Sequence, residues 1–137
     1  MHHQEYWGLY EKQLDGVPVR VRMNKGFEEY ICHPRYIYQM TITVPLNDVD
    51  ENGMPYPEEN RLLEELELLL RERLIVHNVS VFVATITTGG FQMFVLYTFM
   101  PDFCELAVHE TNRLWIYHKL SCKSQEDREW EVVESLF

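Results

Sequence analysis

The sequence predicts an α+β fold of the ferredoxin-like type, a split βαβ sandwich with helices on one face of an antiparallel sheet. Three observations lead to this prediction. Apolar residues alternate with polar ones in several short segments, leucines form one helical stripe, and a Gly-Gly pair joins two segments rich in β-branched and aromatic residues. An N-terminal hairpin and a C-terminal helix are expected to complete one domain over residues 1–137.

The N-terminal hairpin is predicted over residues 5–23. Val19 and Val21 alternate with arginines, which gives the second strand one apolar face and one basic face. Asp15-Gly16 precedes this strand, and an Asp-Gly pair readily adopts the positive φ angles of a two-residue hairpin turn.

The ferredoxin-like core is predicted over residues 35–120. It begins with a strand at 35–44 and continues through a loop at 46–57, whose Asn, Asp, Gly and Pro residues are typical of turns. A helix is predicted at 58–75 because six leucines recur at spacings that place them on one side of a helix. These leucines are Leu62, Leu63, Leu66, Leu69, Leu70 and Leu74.

The second half of the core is predicted from β-rich segments and a Gly-Gly turn. Strands are expected at 79–88 and 91–99, joined in a tight hairpin. A helix at 102–109 and a strand at 113–120 follow, the strand because apolar residues and a histidine alternate with Trp, Tyr and Lys. A serine that can act as N-cap begins the predicted C-terminal helix at 124–137.

The charge of the chain excludes several classes of partner. The sequence has 12 Lys and Arg against 22 Asp and Glu, a formal charge of -10 at pH 7. Such a charge repels nucleic-acid phosphates and anionic lipids. No apolar run reaches the ~18 residues of a membrane-spanning helix, and the first residues lack the pattern of a signal peptide. We therefore expect a cytoplasmic protein that binds neither nucleic acid nor membranes.

Several short motifs occur in an order that resembles a known bacterial family. They are Asp15-Gly16, Asp50-Glu51-Asn52-Gly53-Met54-Pro55, Thr87-Thr88-Gly89-Gly90 and Asp127-Arg128-Glu129-Trp130. Across nearly the whole chain they resemble domain of unknown function family 695. That family is similar in organisation to small acidic regulators of ferredoxin-like fold that inhibit the endoribonuclease of the bacterial RNA degradosome by binding another protein. The resemblance implies a protein-binding role and assigns no catalytic residues.

The predicted helix at 58–75 is rich in glutamate, including Glu64, Glu65 and Glu72. Surface helices are usually charged, so one interpretation is a solvated face without a partner. The other interpretation is a docking surface for a basic protein, whose association would be fast and would weaken with salt.

Aromatic residues of the predicted strands form a second candidate surface. Tyr36, Tyr38, Trp115 and Tyr117 would offer a platform for a partner or ligand if one sheet face is open. Alternatively, the C-terminal helix and the N-terminal segment cover that face.

A small-molecule-binding or enzymatic domain is the alternative to a protein-binding module. It would use a pocket between the sheet and the loop at 46–57, with His118 or a tyrosine as acid or base and with Asp50 and Asn52 nearby. However, His118 lies in the apolar register of its predicted strand, which is typical of a hydrogen-bonded core histidine. The chain has no nucleophile elbow and no phosphate-binding glycine loop, so a non-catalytic role is favoured.

No metal or other cofactor is expected. The loop at 46–57 has several oxygen ligands, but their order differs from that of an EF-hand. Cys104 and His109 would diverge by about 140° on one short helix at ~100° per residue. The three cysteines lack the paired spacing of a zinc site, and Cys104 is better interpreted as a buried apolar residue.

The leading hypothesis from the sequence is a non-catalytic module that binds another protein of basic character. A homodimer joined through sheet faces or edges is a further hypothesis.

Overall fold

The computed structural model describes residues 7–136, apart from the side chain of Lys25, and it confirms an α+β architecture. Residues 5 and 6 of the predicted hairpin and residue 137 of the predicted helix lie outside the described residues. The strands are β1 (Trp7–Leu14), β2 (Val17–Asn24), β3 (Tyr38–Pro45), β4 (Ser80–Thr88), β5 (Phe91–Thr98) and β6 (Ser121–Glu126). The α-helices are α1 (Pro57–Leu74), α2 (Pro101–Leu114) and α3 (Glu131–Glu134), and short 3-10 helices occupy Lys25–Tyr30 and Val76–Asn78.

The six strands form one sheet in the order β1-β2-β4-β5-β3-β6, and every neighbouring pair is antiparallel. α1 connects β3 to β4 past β5, and α2 connects β5 to β6 past β3. The two helices pack against each other. The N-terminal hairpin extends the sheet beyond β4.

α1 and α2 cover one face of the sheet because each helix has one apolar side. The leucines of α1 in this core are Leu63, Leu66, Leu70 and Leu74, and all are buried. They belong to one cluster with Met40, Ile42 and Val44 of β3 and with Phe82, Phe94 and Leu96 of the central strands. Burial of one leucine side chain contributes about 1.5–3 kcal/mol. This core therefore fixes which side of α1 faces solvent.

The opposite sheet face is covered by the C-terminal segment and by the 3-10 helix at Lys25–Tyr30. The ring of Trp130 stacks on that of Tyr97 with centroids 3.8 Å apart, and Trp130 Nε1 donates to the carbonyl of Tyr36. The Tyr97 hydroxyl donates to the Asp127 carboxylate at 2.6 Å. Burial and this carboxylate raise the pKa of Tyr97. Both faces of the central strands are thus buried.

The predicted strand at 113–120 is wrong. α2 continues to Leu114, and residues 115–120 form a loop. The alternation that suggested a strand does not match burial, because Ile116 is exposed while Trp115 and His118 turn inward. The last strand is β6 instead. It is an edge strand that pairs with β3 alone, and its polar sequence carries no apolar alternation.

The predicted helix at 124–137 is also wrong over most of its length. Ser124 lies in β6 opposite Met40, so the strand ladder and not the capping propensity decides its conformation. Asp127 sits at the start of α3, where its carboxylate accepts from the backbone N–H of Glu131 at 2.9 Å and of Val132 at 3.1 Å. Burial opposes ionisation of Asp127, but its hydrogen bonds from Tyr97 and these backbone groups lower its pKa.

The loop between β3 and α1 closes on the turn between β4 and β5. The Gly90 N–H donates to the carbonyl of Gly53 at 3.0 Å, and the Leu46 N–H donates to the carbonyl of Gly90 at 2.8 Å. Gly53 has a φ of +79°, and a Cβ at this position would lie 2.7 Å from the Gly90 nitrogen. The contact joins the motif that contains Gly53 to the motif that contains Gly90, and it leaves no room for a side chain at position 53.

We expect Gly53→Ala to destabilise the protein more than Gly16→Ala. Both glycines have positive φ, which costs an alanine about 1–2 kcal/mol, but the space around Gly16 is open. The backbone collision at Gly53 should lower the free energy of unfolding by a further ~1–3 kcal/mol. Urea denaturation of the two variants measures the difference. Equal losses would contradict the contact.

Candidate functional site

A groove runs between α1 and the β1–β2 hairpin, and we call it the α1 groove. It encloses about 550 Å³. Its lining includes Leu9, Arg22, Leu63, Glu64, Glu67 and Leu68. The groove forms because the hairpin extends the sheet beyond the width that α1 covers.

Two leucines at the α1 groove face solvent. Leu68 of α1 is 63% exposed, and Leu9 of β1 is 60% exposed. Leu68 lies outside the leucine stripe that packs on the sheet, so its exposure follows from the orientation of α1. The groove therefore has an apolar side chain on each wall.

Three carboxylates surround Leu68. Glu64 and Glu65 precede it by four and three residues, and Glu72 follows it by four, so all three share its side of the helix. All are exposed, and in the described part of the chain they make no ion pair. Glu64 accepts a hydrogen bond from the Asn60 side chain at 3.4 Å. We call Glu64, Glu65 and Glu72 the acidic rim.

The arginines that line the α1 groove are already neutralised. Arg22 donates to both carboxylate oxygens of Glu67, at 2.9 and 3.3 Å, and the Thr85 hydroxyl donates to the same carboxylate at 3.0 Å. Arg20 lies 3.5 Å from the carboxylate of Glu11. Because these positive charges are compensated inside the groove, the carboxylate of Glu64 leaves its lining negatively charged, and Glu65 and Glu72 add negative charge on the same helix.

His118, the predicted acid or base, is buried in a hydrogen-bonded cluster. Its Nδ1 accepts from the Trp115 indole N–H at 3.0 Å, so Nε2 carries the ring proton and donates to Glu59 at 3.0 Å. Its side chain has no exposed area. A histidine in this position joins the loop at 115–120 to α1.

Glu59 completes the cluster from the first turn of α1. Its other carboxylate oxygen accepts hydrogen bonds from the backbone N–H groups of Asn47 and Asp48. Burial opposes ionisation, but these two N–H groups and His118 outweigh it and lower the pKa of Glu59. The cluster therefore connects two loops at one end of the sheet.

The other residues of the predicted pocket lie elsewhere. Asp50 accepts from the backbone N–H groups of Asn52 at 2.8 Å and Met54 at 3.1 Å, which shapes its own loop. Asn52 borders a cavity of about 340 Å³ between this loop and the hairpin, whereas His118 borders a different cavity of about 720 Å³. The structure does not bring the three residues together.

The predicted aromatic platform is distributed over several places. Tyr36 is buried, and its hydroxyl donates to the carbonyl of Asn78 at 2.7 Å. Tyr38 is half-buried in β3. Trp115 and Tyr117 lie together in the loop after α2, with ring centroids 5.1 Å apart. The four side chains share no open sheet face.

The thiols and histidines form no metal centre among the described residues. Cys104 is buried between the hydroxyls of Ser80 at 3.2 Å and Thr98 at 3.4 Å. Burial raises the pKa of this thiol, which favours the protonated form.

Sequence reasoning identified the acidic rim but not the exposed leucines beside it. The available signal was Leu68, a leucine that interrupts the glutamates and stands outside the stripe at 62, 63, 66, 69, 70 and 74. Leu9 carries no comparable signal, because an alternating strand does not reveal which face lacks a cover.

Removal of the Glu59 charge is expected to destabilise the protein in a pH-dependent way. Because the folded-state pKa of Glu59 lies below its ordinary value, its contribution is present above about pH 4.5 and is lost as the pH falls through the folded-state pKa. At pH 7, Glu59→Gln should lower the free energy of unfolding by about 1.5–3 kcal/mol. The difference from wild type should shrink below about pH 4.5.

Denaturation curves between pH 3 and 7 measure this effect. Glu58→Gln, the exposed neighbour in the same helix turn, serves as control and should have little effect. A difference between Glu59→Gln and wild type that stays constant over the whole range would show that the Glu59 charge does not cause it.

None of the helices in the described part of the chain combines the length and apolar character that a membrane span requires. Comparison with curated proteins and with solved structures gave no match. The sequence model of one family, described as a family of unknown function (DUF695), matches residues 5–137. The match includes the α1 groove, the Gly53–Gly90 contact and the Asp127–Trp130 segment. The chain therefore belongs to the family of unknown function DUF695.

Proposed function

We propose that this protein is a non-catalytic binding module and that the α1 groove with its acidic rim is its docking surface for another protein. The observation that carries the proposal is Leu68. A side chain that is 63% exposed stands inside a ring of three exposed carboxylates and opposite the exposed Leu9. An apolar centre with a charged border is the usual anatomy of a protein interface.

The chemistry of the groove defines the partner. Leu9, Leu63 and Leu68 provide an apolar floor and walls, so the partner needs an apolar side chain that enters the groove. Glu64, Glu65 and Glu72 require lysines or arginines beside it. Such charges accelerate association and make it sensitive to salt.

We further assign the fold to the ferredoxin-like class. Apart from the N-terminal hairpin, the strands lie in the order β6-β3-β5-β4, which is the order of a split βαβ sandwich in which each crossover helix joins two parallel strands past one antiparallel strand. Both crossover helices contribute to one core on the same sheet face. The assignment supports a docking surface on the helical side, since the other face is covered.

Charge reversal of the acidic rim is expected to abolish binding without unfolding the protein. The triple variant Glu64→Lys, Glu65→Lys, Glu72→Lys changes exposed side chains only. Affinity capture from host lysate at low salt, followed by titration of the captured partner, should show at least a ~100-fold loss of affinity. Circular dichroism checks that the fold is retained.

A control variant carries the same charge change elsewhere. Glu28→Lys, Glu29→Lys, Glu129→Lys reverses three exposed carboxylates away from the α1 groove, and its binding should match wild type. If both triple variants lose affinity equally, the change in net charge explains the loss. If both bind like wild type, the acidic rim is not part of the interface.

A small-ligand site is the second candidate, favoured by the cavity of about 340 Å³ between the hairpin and the loop that follows β3. Arg20, Asn52 and Met54 are among its lining residues, so it offers both polar and apolar contacts. A metabolite that raises the melting temperature of wild type but not of Met54→Trp, which fills the cavity, would establish this role. No shift across a broad metabolite set would exclude it.

A further inference from the structure

The loop after α2 presents a second exposed apolar surface, distinct from the α1 groove. Ile116 is 83% exposed, Leu114 is 63% exposed and Tyr117 is 50% exposed. We call these three residues the apolar knob. Clustered exposure of large apolar side chains is typical of interaction sites.

The apolar knob is held by contacts on both sides of the loop. The Asn112 side chain donates to the carbonyl of Leu120 and accepts from its N–H, both at 2.8 Å. The Asn47 side chain donates to the carbonyl of Tyr117 at 2.7 Å. Below the knob, Trp115 is anchored on the buried His118. A loop closed in this way loses little conformational entropy when it binds a partner.

The segment that carries the apolar knob has a charge opposite to that of the whole chain. Residues 113–123 contain Arg113, Lys119 and Lys123 and no acidic residue, which gives +3 in a chain of -10. All three basic side chains are exposed. A negatively charged surface with an apolar recess is complementary to this loop.

The α1 groove of the same chain has these two properties. It is concave and apolar at its floor, its lining includes Glu64, and Glu65 and Glu72 stand beside the exposed Leu68 on α1. The knob is exposed and apolar, and the segment that carries it contains arginine and lysine. We propose that the apolar knob of one copy docks into the α1 groove of a second copy, so that the protein associates with itself through two different surfaces of each chain.

This inference rests on the proposed function of the α1 groove and names its occupant. Two different complementary surfaces on one chain associate either reciprocally around a twofold axis or head-to-tail in an open series. In both arrangements Ile116 enters the groove beside Leu68, and the lysines and arginine meet the acidic rim. Salt therefore weakens the assembly.

Sedimentation velocity of the purified full chain tests self-association. The mass of wild type should rise with concentration to at least twice that of the monomer at low salt and should fall toward that of the monomer at high salt. Ile116→Asp in the knob and Leu68→Asp in the groove should each raise the dissociation constant at least ~30-fold, as expected for central interface residues. Ile31→Asp is the matched control, because Ile31 is an exposed isoleucine outside both surfaces, and it should associate like wild type.

Mixing the two defective variants gives the sharper result. Ile116→Asp retains an intact groove, and Leu68→Asp retains an intact knob, so a mixture should form a 1:1 complex although neither variant associates alone. Simple loss of folding cannot produce this complementation.

Two results would overturn the inference. Wild type that stays monomeric at all concentrations, or a monomer whose knob binds vesicles of phosphatidylserine and phosphatidylcholine in an Ile116-dependent way, excludes the second copy as occupant. Neither result concerns the capture of a foreign basic protein by the acidic rim. If that capture persists, the proposed function stands while this inference fails.

Discussion

The stacking of Trp130 on Tyr97 is the contact that closes one face of the sheet. The two rings lie 3.8 Å apart on the sheet face opposite α1, and Asp127 holds both the Tyr97 hydroxyl and the first turn of α3. This contact covers the centre of a face that would otherwise expose Val81, Val83 and Val95. A partner is therefore left with the helical side and the sheet ends as binding surfaces.

The loops at one end of the sheet are joined by polar contacts that engage Glu59 and His118. Glu59 accepts hydrogen bonds from the loop after β3 and from His118, while Gly53 packs directly on the turn between β4 and β5. A carboxylate and a histidine at 3.0 Å would suit acid–base chemistry in an open cleft. Here both side chains are buried and satisfied by structural partners, so the same pair stabilises the fold. These hydrogen bonds hold the first turn of α1 and the loop that carries Ile116 in place.

The α1 groove and the apolar knob arise from one architectural feature, the width of the sheet. Two helices cover four central strands, and the added hairpin leaves an uncovered strip beside α1 where Leu9 and Leu68 meet solvent. On the other side, α2 must connect to the edge strand β6, and the connection exposes Leu114 and Ile116. The charges then differ between the two places, negative along α1 and positive after α2.

The sequence by itself determined the α+β class, the leucine-rich helix, both glycine-containing hairpins and the acidic character of α1, because each depends on local periodicity or turn chemistry. Only the tertiary structure decided the end of α2, the polar strand β6 and the short α3. Their conformations follow from the strand ladder with β3 and from burial of Trp130, which no local pattern records. The same holds for the sites. Glu64, Glu65 and Glu72 were visible as charges, but the exposure of Leu68 and Ile116 and the burial of His118 depend on which surfaces the rest of the chain covers.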